Sequence, residues 1–163
     1  KKTLLKFPIV IMAGGKGTRL KPFTDVLPKP LIPLNNKTVV EHIIDSFKNS
    51  GIKEFYISIN FKGKILKAFF EELNPKLTIK FIEENKPLGT AGSLYKLKGK
   101  ISSTFIVTNC DVIFKFDFTD LINFHKNNHS DMTLVVSANQ FEVPYGACEI
   151  NKDGFLKRII EIR

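Results

Sequence analysis

Short apolar runs alternate along this chain with longer stretches in which apolar residues recur every three or four positions. The runs have the near-continuous hydrophobicity of buried strands, whereas the wider spacing is typical of helices with one buried face. Strands are predicted over residues 9–12, 55–60, 77–82, 104–108 and 132–138, and helices over 39–47, 62–73, 90–97 and 119–126.

The order of these elements predicts the class of fold. The helix that begins at Val39 is preceded by Thr38, which forms a capping box with Glu41, and Gly51 is a suitable stop after it. Apolar strands that alternate with amphipathic helices indicate an α/β fold, a three-layer sandwich with a mostly parallel sheet covered on both faces. Ligands of such folds bind beyond the carboxyl ends of the strands.

A glycine-rich loop follows the first predicted strand directly. The segment from Ile9 to Leu31 reads IVIMAGGKGTRLKPFTDVLPKPL, so the strand is followed by a loop in which several residues lack a side chain. Peptide N–H groups of such a loop can converge on phosphate oxygens, and Lys16, Arg19 and Lys29 add the fixed positive charge that a triphosphate needs. The loop lacks the Gly-Lys-Ser/Thr ending of a Walker motif, and Leu20 stands where a dinucleotide fingerprint needs glycine. The pattern favours a different kind of phosphate-binding loop.

Two linked parts of this segment resemble, almost residue for residue, the signature of the sugar-1-phosphate nucleotidyltransferases, or nucleotide-sugar pyrophosphorylases. That signature, Gly-Gly-x-Gly-Thr-Arg-Leu-x-Pro-x-Thr followed by Pro-Lys-Pro-Leu, stands here at Gly14 to Thr24 and Pro28 to Leu31. The resemblance implies a Rossmann-like sandwich of the nucleotide-diphospho-sugar transferase type, with Arg19 and Lys29 as catalytic residues. It also implies nucleotide contacts at Ala13, Gly14, Gly15, Gly17 and Thr18.

A second segment, Glu83 to Leu94, reads EENKPLGTAGSL after another predicted strand. In the resembled family it holds the nucleobase, which implies that Glu84, Gly89 and Thr90 contact the nucleotide. The sequence of this segment most resembles that of guanylyltransferase-type members. A carboxylate at Glu84 can also accept hydrogen bonds from both donors on the guanine edge. The alternative is a solvated pair of glutamates before a helix that Thr90 caps.

A third segment places Asn109 and Asp111 after the strand predicted over 104–108. A carboxylate at such a point suits Mg²⁺, which binds one or two carboxylates together with substrate phosphates and water. The resemblance implies that Asp111 is a catalytic metal ligand and that Asn109, Gly146 and Glu161 contact the sugar. Asp111 as the cap of a following turn is the alternative. The chain departs from the family at Ile162, where relatives carry a lysine that contacts the sugar phosphate.

Composition and charge limit the number of domains and the kinds of partner that the chain can have. With 163 residues and 43% hydrophobic content, the chain suits one globular domain. The net charge of +9 invites a nucleic-acid partner, but the lysines are scattered in ones and twos, so none is predicted. Without an apolar stretch of membrane-spanning length or a secretory signal, we expect no membrane partner and a cytoplasmic location. Cys110 and Cys148 lack CxxC spacing and are predicted to be buried and unpaired.

The sequence therefore predicts an enzyme that transfers a nucleotidyl group, with GTP favoured, from a Mg²⁺-bound NTP to a sugar 1-phosphate. The resemblance covers residues 1–163 as the nucleotide-binding part of the family's catalytic domain, and the remainder of that domain is expected to be absent from this chain. A binding module that senses nucleotide or nucleotide sugar without catalysis is the alternative. Ile162 and the expected absence of the rest of the domain favour it for the isolated chain, whereas the intact phosphate and metal motifs favour the enzyme. A homo-oligomer is left open.

Overall fold

Most of the apolar runs and amphipathic stretches form the elements that their spacing predicts, with shifted ends. The structure is a computed structural model that describes residues 7–73, 76–138 and 147–160. Its strands are β1 (Ile9–Met12), β2 (Pro33–Leu34), β3 (Lys37–Thr38), β4 (Glu54–Ile59), β5 (Thr78–Glu83), β6 (Ile106–Asn109), β7 (Ala147–Ile150) and β8 (Leu156–Ile160). The α-helices are α1 (Phe23–Val26), α2 (Val39–Lys48), α3 (Gly63–Leu73) and α4 (Phe118–Asn127), and 3-10 helices cover Thr18–Leu20, Lys29–Leu31 and Gly92–Leu97.

The central sheet consists of four strands in the order β5-β4-β1-β6, and every neighbouring pair is parallel. In the register, Met12 at the end of β1 lies opposite Ser58 of β4 and Asn109 of β6. The β4–β5 ladder ends with the pair Ile59 and Glu83. All four carboxyl ends therefore lie at one edge of the sheet, and the loops that follow them meet there.

The two faces of the sheet are covered unequally. Ile9 and Ile11 of β1 pack in a large cluster with side chains from α2, α3 and α4, whereas Val10 points to the opposite face. There it packs in a smaller cluster with Leu97 of the 3-10 helix. The predicted α/β fold with a parallel sheet covered on both sides is confirmed, with one layer reduced to a short helix and its neighbouring loops.

The ends of α2 follow the local signals in the sequence. The Thr38 hydroxyl accepts a hydrogen bond from the Glu41 N–H at 3.4 Å, and the Glu41 carboxylate accepts one from the Thr38 N–H at 2.8 Å. The helix ends before Gly51, whose φ of 89° a residue with a side chain adopts only at a cost. The capping box and the glycine stop are both confirmed because each depends only on residues close in sequence.

Three sequence expectations are wrong. Residues 132–138 form no strand, because an apolar run becomes a strand only where a partner strand pairs with it. Leu134 and Val136 of this run are exposed. Cys110 is buried but Cys148 is exposed, and both thiols are free. The helix predicted from Thr90 begins at Gly92 as a 3-10 helix, with Ala91 and not Thr90 at its cap position.

The chain divides into two compact units, up to Phe124 and from His125 onward. The second unit contains the antiparallel pair β7 and β8, in which Glu149 accepts a hydrogen bond from Arg158 Nε at 2.8 Å. Among the helices of the described residues, none has both the length and the apolar character needed to cross a lipid bilayer.

The centre of the larger cluster is Phe47 of α2, which is fully buried and contacts the rings of Phe55, Phe114 and Phe118. We expect Phe47→Ala to lower the free energy of unfolding by about 3 to 5 kcal/mol, because it removes a ring and leaves a cavity. Urea denaturation measures the loss. Phe23→Ala is the control, since Phe23 is 65% exposed and its truncation should change stability by less than about 0.5 kcal/mol. Equal losses in the two variants would contradict this account of the core.

Candidate functional site

A cavity of about 480 Å³ opens at the carboxyl edge of the sheet. Its walls come from the glycine-rich loop, from the segment after β5, from the ends of β1, β4 and β6, and from Lys29. The lining residues are Met12, Gly14, Gly15, Gly17, Thr18, Arg19, Leu20, Lys29, Ser58, Glu84, Pro87, Leu88, Gly89, Thr90, Asn109, Cys110 and Asp111. The three segments selected in the sequence thus surround one space.

The glycine-rich loop is fixed at its start by β4. The Ala13 N–H donates to the Ser58 hydroxyl at 3.0 Å, and the Ser58 side chain is fully buried. A buried N–H without such a partner is costly, so this hydrogen bond sets where the loop leaves the sheet. The following glycines then line the cavity, while Ala13 itself is buried and does not line it.

The far end of the loop is fixed by Thr24. Its hydroxyl donates to the Gly17 carbonyl at 3.0 Å, and Gly17 has a φ of 64°. A Cβ at Gly17 would lie 2.9 Å from Thr24 Cγ2 and 3.2 Å from Lys29 Cβ, so only glycine fits. The turn that results directs the 3-10 helix Thr18–Leu20 along the cavity, with Arg19 exposed on its wall.

Lys29 and Asp111, which both line the cavity, form an ion pair with each other, although 82 residues separate them in sequence. The Lys29 side chain is 24% exposed and the Asp111 side chain 43%, so both can exchange partners with a ligand. Burial raises the pKa of the neighbouring Cys110 thiol to about 11, against a smaller opposing effect of Lys29. Cys110, which lies between Asn109 and Asp111 in sequence, is therefore an uncharged residue that contributes packing.

Asp111 is the residue of this cavity whose chemistry fits Mg²⁺. Within the described ranges, no group of three or more His, Cys, Asp or Glu side chains could hold a metal ion. Magnesium sites that act on nucleotides need only one or two carboxylates, because phosphate oxygens and water complete the octahedron. A half-exposed carboxylate opposite a glycine-rich loop suits that arrangement.

Glu84 is buried, with 8% of its surface exposed, and its carboxylate lies on the cavity wall. Its Oε2 accepts a hydrogen bond from the Leu88 N–H at 3.3 Å, and its Oε1 would be 2.8 Å from a Cβ built on Gly14. The neighbouring Glu83 is exposed instead and pairs with Lys67, which lowers the pKa of the Glu83 carboxyl. The alternative of two solvated glutamates therefore holds for Glu83 and fails for Glu84.

The structure brings most of the predicted site residues together. Those that line the cavity are Gly14, Gly15, Gly17, Thr18, Arg19, Lys29, Glu84, Gly89, Thr90, Asn109 and Asp111. Gly146 and Glu161 lie outside the described residues, so their predicted contacts with a sugar stay predictions.

Sequence reasoning missed the polar residues at the end of β4. Ser58 anchors the glycine-rich loop, and the Asn60 side-chain amide donates to the Glu84 carbonyl at 2.6 Å. A signal was present, since these two polar residues interrupt an otherwise apolar run on alternate positions. Alternate positions lie on one face of a strand, so the pattern indicates a shared role.

A parallel sheet with a cavity bounded by the loops at its carboxyl edge defines an α/β protein with a ligand site in the usual place for that class. The family model described as Nucleotidyl transferase matches residues 9–162. The chain therefore belongs to the nucleotidyltransferase family.

Curated relatives agree with this assignment. The probable mannose-1-phosphate guanylyltransferase 3 of Oryza sativa subsp. japonica is 35% identical over 159 residues, which cover 93% of this chain and 44% of that protein. The mannose-1-phosphate guanyltransferase of Schizosaccharomyces pombe is also 35% identical, with the same coverage of 93% and 44%. The chain thus spans less than half the length of these relatives.

Solved structures share the fold. HddC from Yersinia pseudotuberculosis, crystallised with GMP-PN, is 25% identical with a TM-score of 0.65, and the match covers 95% of this chain and 69% of that one. A putative glucose-1-phosphate thymidylyltransferase from Bacillus anthracis is 21% identical with a TM-score of 0.71, covering 96% of this chain and 64% of that one. The second likeness shows the fold alone.

The fit at Gly17 gives a test of the loop geometry. Gly17→Ala should lower the free energy of unfolding by about 1 to 2 kcal/mol, because the left-handed conformation and the contact with Thr24 both penalise a methyl group. Gly15→Ala is the matched control, since a Cβ there would meet no atom of the described residues within 4 Å. Urea denaturation of both variants checks the difference. Equal stability of the two proteins would contradict the proposed turn.

Proposed function

We propose that this protein transfers a guanylyl group from GTP to a sugar 1-phosphate in a Mg²⁺-dependent reaction, which gives a nucleotide sugar and pyrophosphate. The observation that carries the proposal is the cavity itself, because it places the glycine-rich loop, Arg19, Lys29 and Asp111 around one space with the Glu84 carboxylate on its wall. The first four features suit a triphosphate with its metal, and the last suits a base edge that offers hydrogen-bond donors.

Relatives support the choice of nucleotide and sugar. Several curated relatives are named mannose-1-phosphate guanylyltransferases, and HddC was crystallised with GMP-PN. We therefore propose a guanine nucleotide and take mannose 1-phosphate as the first sugar substrate to test.

In this reaction an oxygen of the sugar phosphate attacks the α-phosphorus of GTP in line. The new bond joins that oxygen to the α-phosphorus, and the bond from the α-phosphorus to the bridging oxygen of the β-phosphate breaks, so pyrophosphate leaves with its electron pair. The protein contributes position and charge. Arg19 stabilises the charge that develops on pyrophosphate, Lys29 binds the α-phosphate region, and backbone N–H groups of Gly14, Gly15 and Gly17 hold phosphate oxygens.

The ion pair between Lys29 and Asp111 holds the two side chains together at the cavity wall before the nucleotide binds. A triphosphate offers Lys29 a new anionic partner, and Asp111 is then free to hold Mg²⁺. Bound there, Mg²⁺ would neutralise phosphate charge and orient the triphosphate. Lys29 and Asp111 each have a partner of opposite charge both before and after the nucleotide binds. This limits the cost of desolvating either residue.

A second candidate is a module that binds nucleotide without transferring it. The sequence favours it at one position, Ile162, where the resembled family carries a lysine that contacts the sugar phosphate. Such a module would keep nucleotide affinity and release no pyrophosphate, so turnover separates the two candidates.

Turnover is the direct test of the proposed reaction. The purified protein, given GTP, Mg²⁺ and mannose 1-phosphate, should form a guanosine diphosphate sugar that mass spectrometry detects. Arg19→Ala should lower kcat/KM by about 100-fold, on the order of 3 kcal/mol, because it removes charge that stabilises the transition state. Lys16→Ala is the control: it removes the same charge from the same loop, but Lys16 does not line the cavity. Nucleotide binding without any product would favour the binding module.

The preference for guanine gives an independent test. Glu84→Gln should weaken GTP binding by about 1 to 3 kcal/mol, measured by calorimetry, because an amide cannot accept from both guanine donors. Affinities for UTP, dTTP and CTP should change less. Glu83→Gln is the matched control, since Glu83 is exposed and outside the cavity. An unchanged order of affinities in Glu84→Gln would remove this residue from base selection.

A further inference from the structure

The main-chain ladder between β4 and β5 stops just short of the nucleotide cavity. Its last paired residues are Ile59 and Glu83, and one more main-chain hydrogen bond follows, from the Glu84 N–H to the Ile59 carbonyl at 2.9 Å. Beyond that point a side chain continues the pairing. Asn60 Nδ2 donates to the Glu84 carbonyl at 2.6 Å, so both main-chain groups of Glu84 are tied to the end of β4.

These bonds leave Glu84 little freedom. Its carboxylate Oε2 accepts from the Leu88 N–H at 3.3 Å, which fixes the side chain as well as the main chain. Asn60 also lies against the glycine-rich loop, because a Cβ built on Gly14 would be 3.5 Å from Asn60 Cβ. The Asn60 side chain therefore lies beside Gly14 and bonds to Glu84, two residues from different walls of the cavity.

We propose that Asn60 is the positioning residue for base selection: its amide holds the main chain of Glu84 so that the carboxylate meets the guanine edge in register. The inference rests on the proposed function, in which Glu84 reads that edge. Asn60 does not line the cavity, so its effect passes through Glu84.

Selectivity is more sensitive than overall affinity to a loss of this bond. Recognition of guanine needs two hydrogen bonds to one carboxylate, and a displacement of a fraction of an ångström weakens both. Phosphate contacts come from the glycine-rich loop, whose anchor at β4 is Ser58 and not Asn60. Loss of the Asn60 amide should thus reduce discrimination between bases while most triphosphate affinity remains.

The test compares binding of GTP, ITP and ATP, each with Mg²⁺, by calorimetry. ITP lacks the exocyclic amine of guanine, and ATP presents a different donor pattern. Asn60→Ala should lower the preference for GTP over ITP and ATP by about tenfold, the usual worth of one hydrogen bond. Combined with Glu84→Gln, it should lower that preference no further than Glu84→Gln alone, because both changes remove the same interaction.

Three further variants make the result specific. Asn60→Leu removes the amide but keeps a side chain of similar size, so it replaces Asn60→Ala if the latter fails to fold. Ser58→Ala removes a different hydrogen bond at the same strand end and should weaken all three nucleotides alike. Asn49→Ala, at the exposed end of α2, should change neither affinity nor preference.

The outcomes separate this inference from the proposed function. If Glu84→Gln loses the preference for GTP and both Asn60 variants keep it, Asn60 does not position Glu84 and the proposed base recognition stands. An equal weakening of all three nucleotides by the Asn60 variants, as expected for Ser58→Ala, would also overturn the inference. If Glu84→Gln keeps the preference, the proposed role of Glu84 fails and the inference fails with it.

Discussion

Parallel pairing of the four central strands brings the parts of the candidate site together. Because β5, β4, β1 and β6 run in one direction, their carboxyl ends share an edge, and loops far apart in sequence become neighbours there. The glycine-rich loop, Glu84 and Asp111 follow three different strands of this sheet. Without parallel pairing, these residues would have no common cavity.

Strand β4 connects the core to the cavity. Its residues Phe55, Ile57 and Ile59 are buried in the larger cluster, while Ser58 points to the opposite face and anchors the glycine-rich loop. Asn60, one residue beyond the strand, holds the main chain of Glu84. The same element thus carries hydrophobic stability and the alignment of two cavity walls, so displacement of β4 would disturb both.

The charges of the cavity are arranged before any ligand binds. Lys29 is held beside Asp111 by an ion pair. Glu84 is held by a peptide N–H, and no basic side chain of the described residues pairs with it. A carboxylate bonded to a neutral donor has no cationic partner that a ligand must displace, whereas the proposed function requires the ion pair to open when a triphosphate offers Lys29 another partner. These different surroundings are the basis on which we propose base contact for Glu84 and metal binding for Asp111.

Local sequence signals are enough to predict the features that depend on neighbours in the chain: strand β1, the glycine-rich loop, the capping box at Thr38 and the amphipathic α2 and α3. Family resemblance and strand ends also indicated most of the residues around the cavity. Three further features could not be predicted from local patterns: residues 132–138 form no strand, Glu84 is buried while Glu83 is exposed, and Ser58 and Asn60 support the site. Strand formation, burial and these hydrogen bonds depend on partners distant in sequence, which local patterns do not specify.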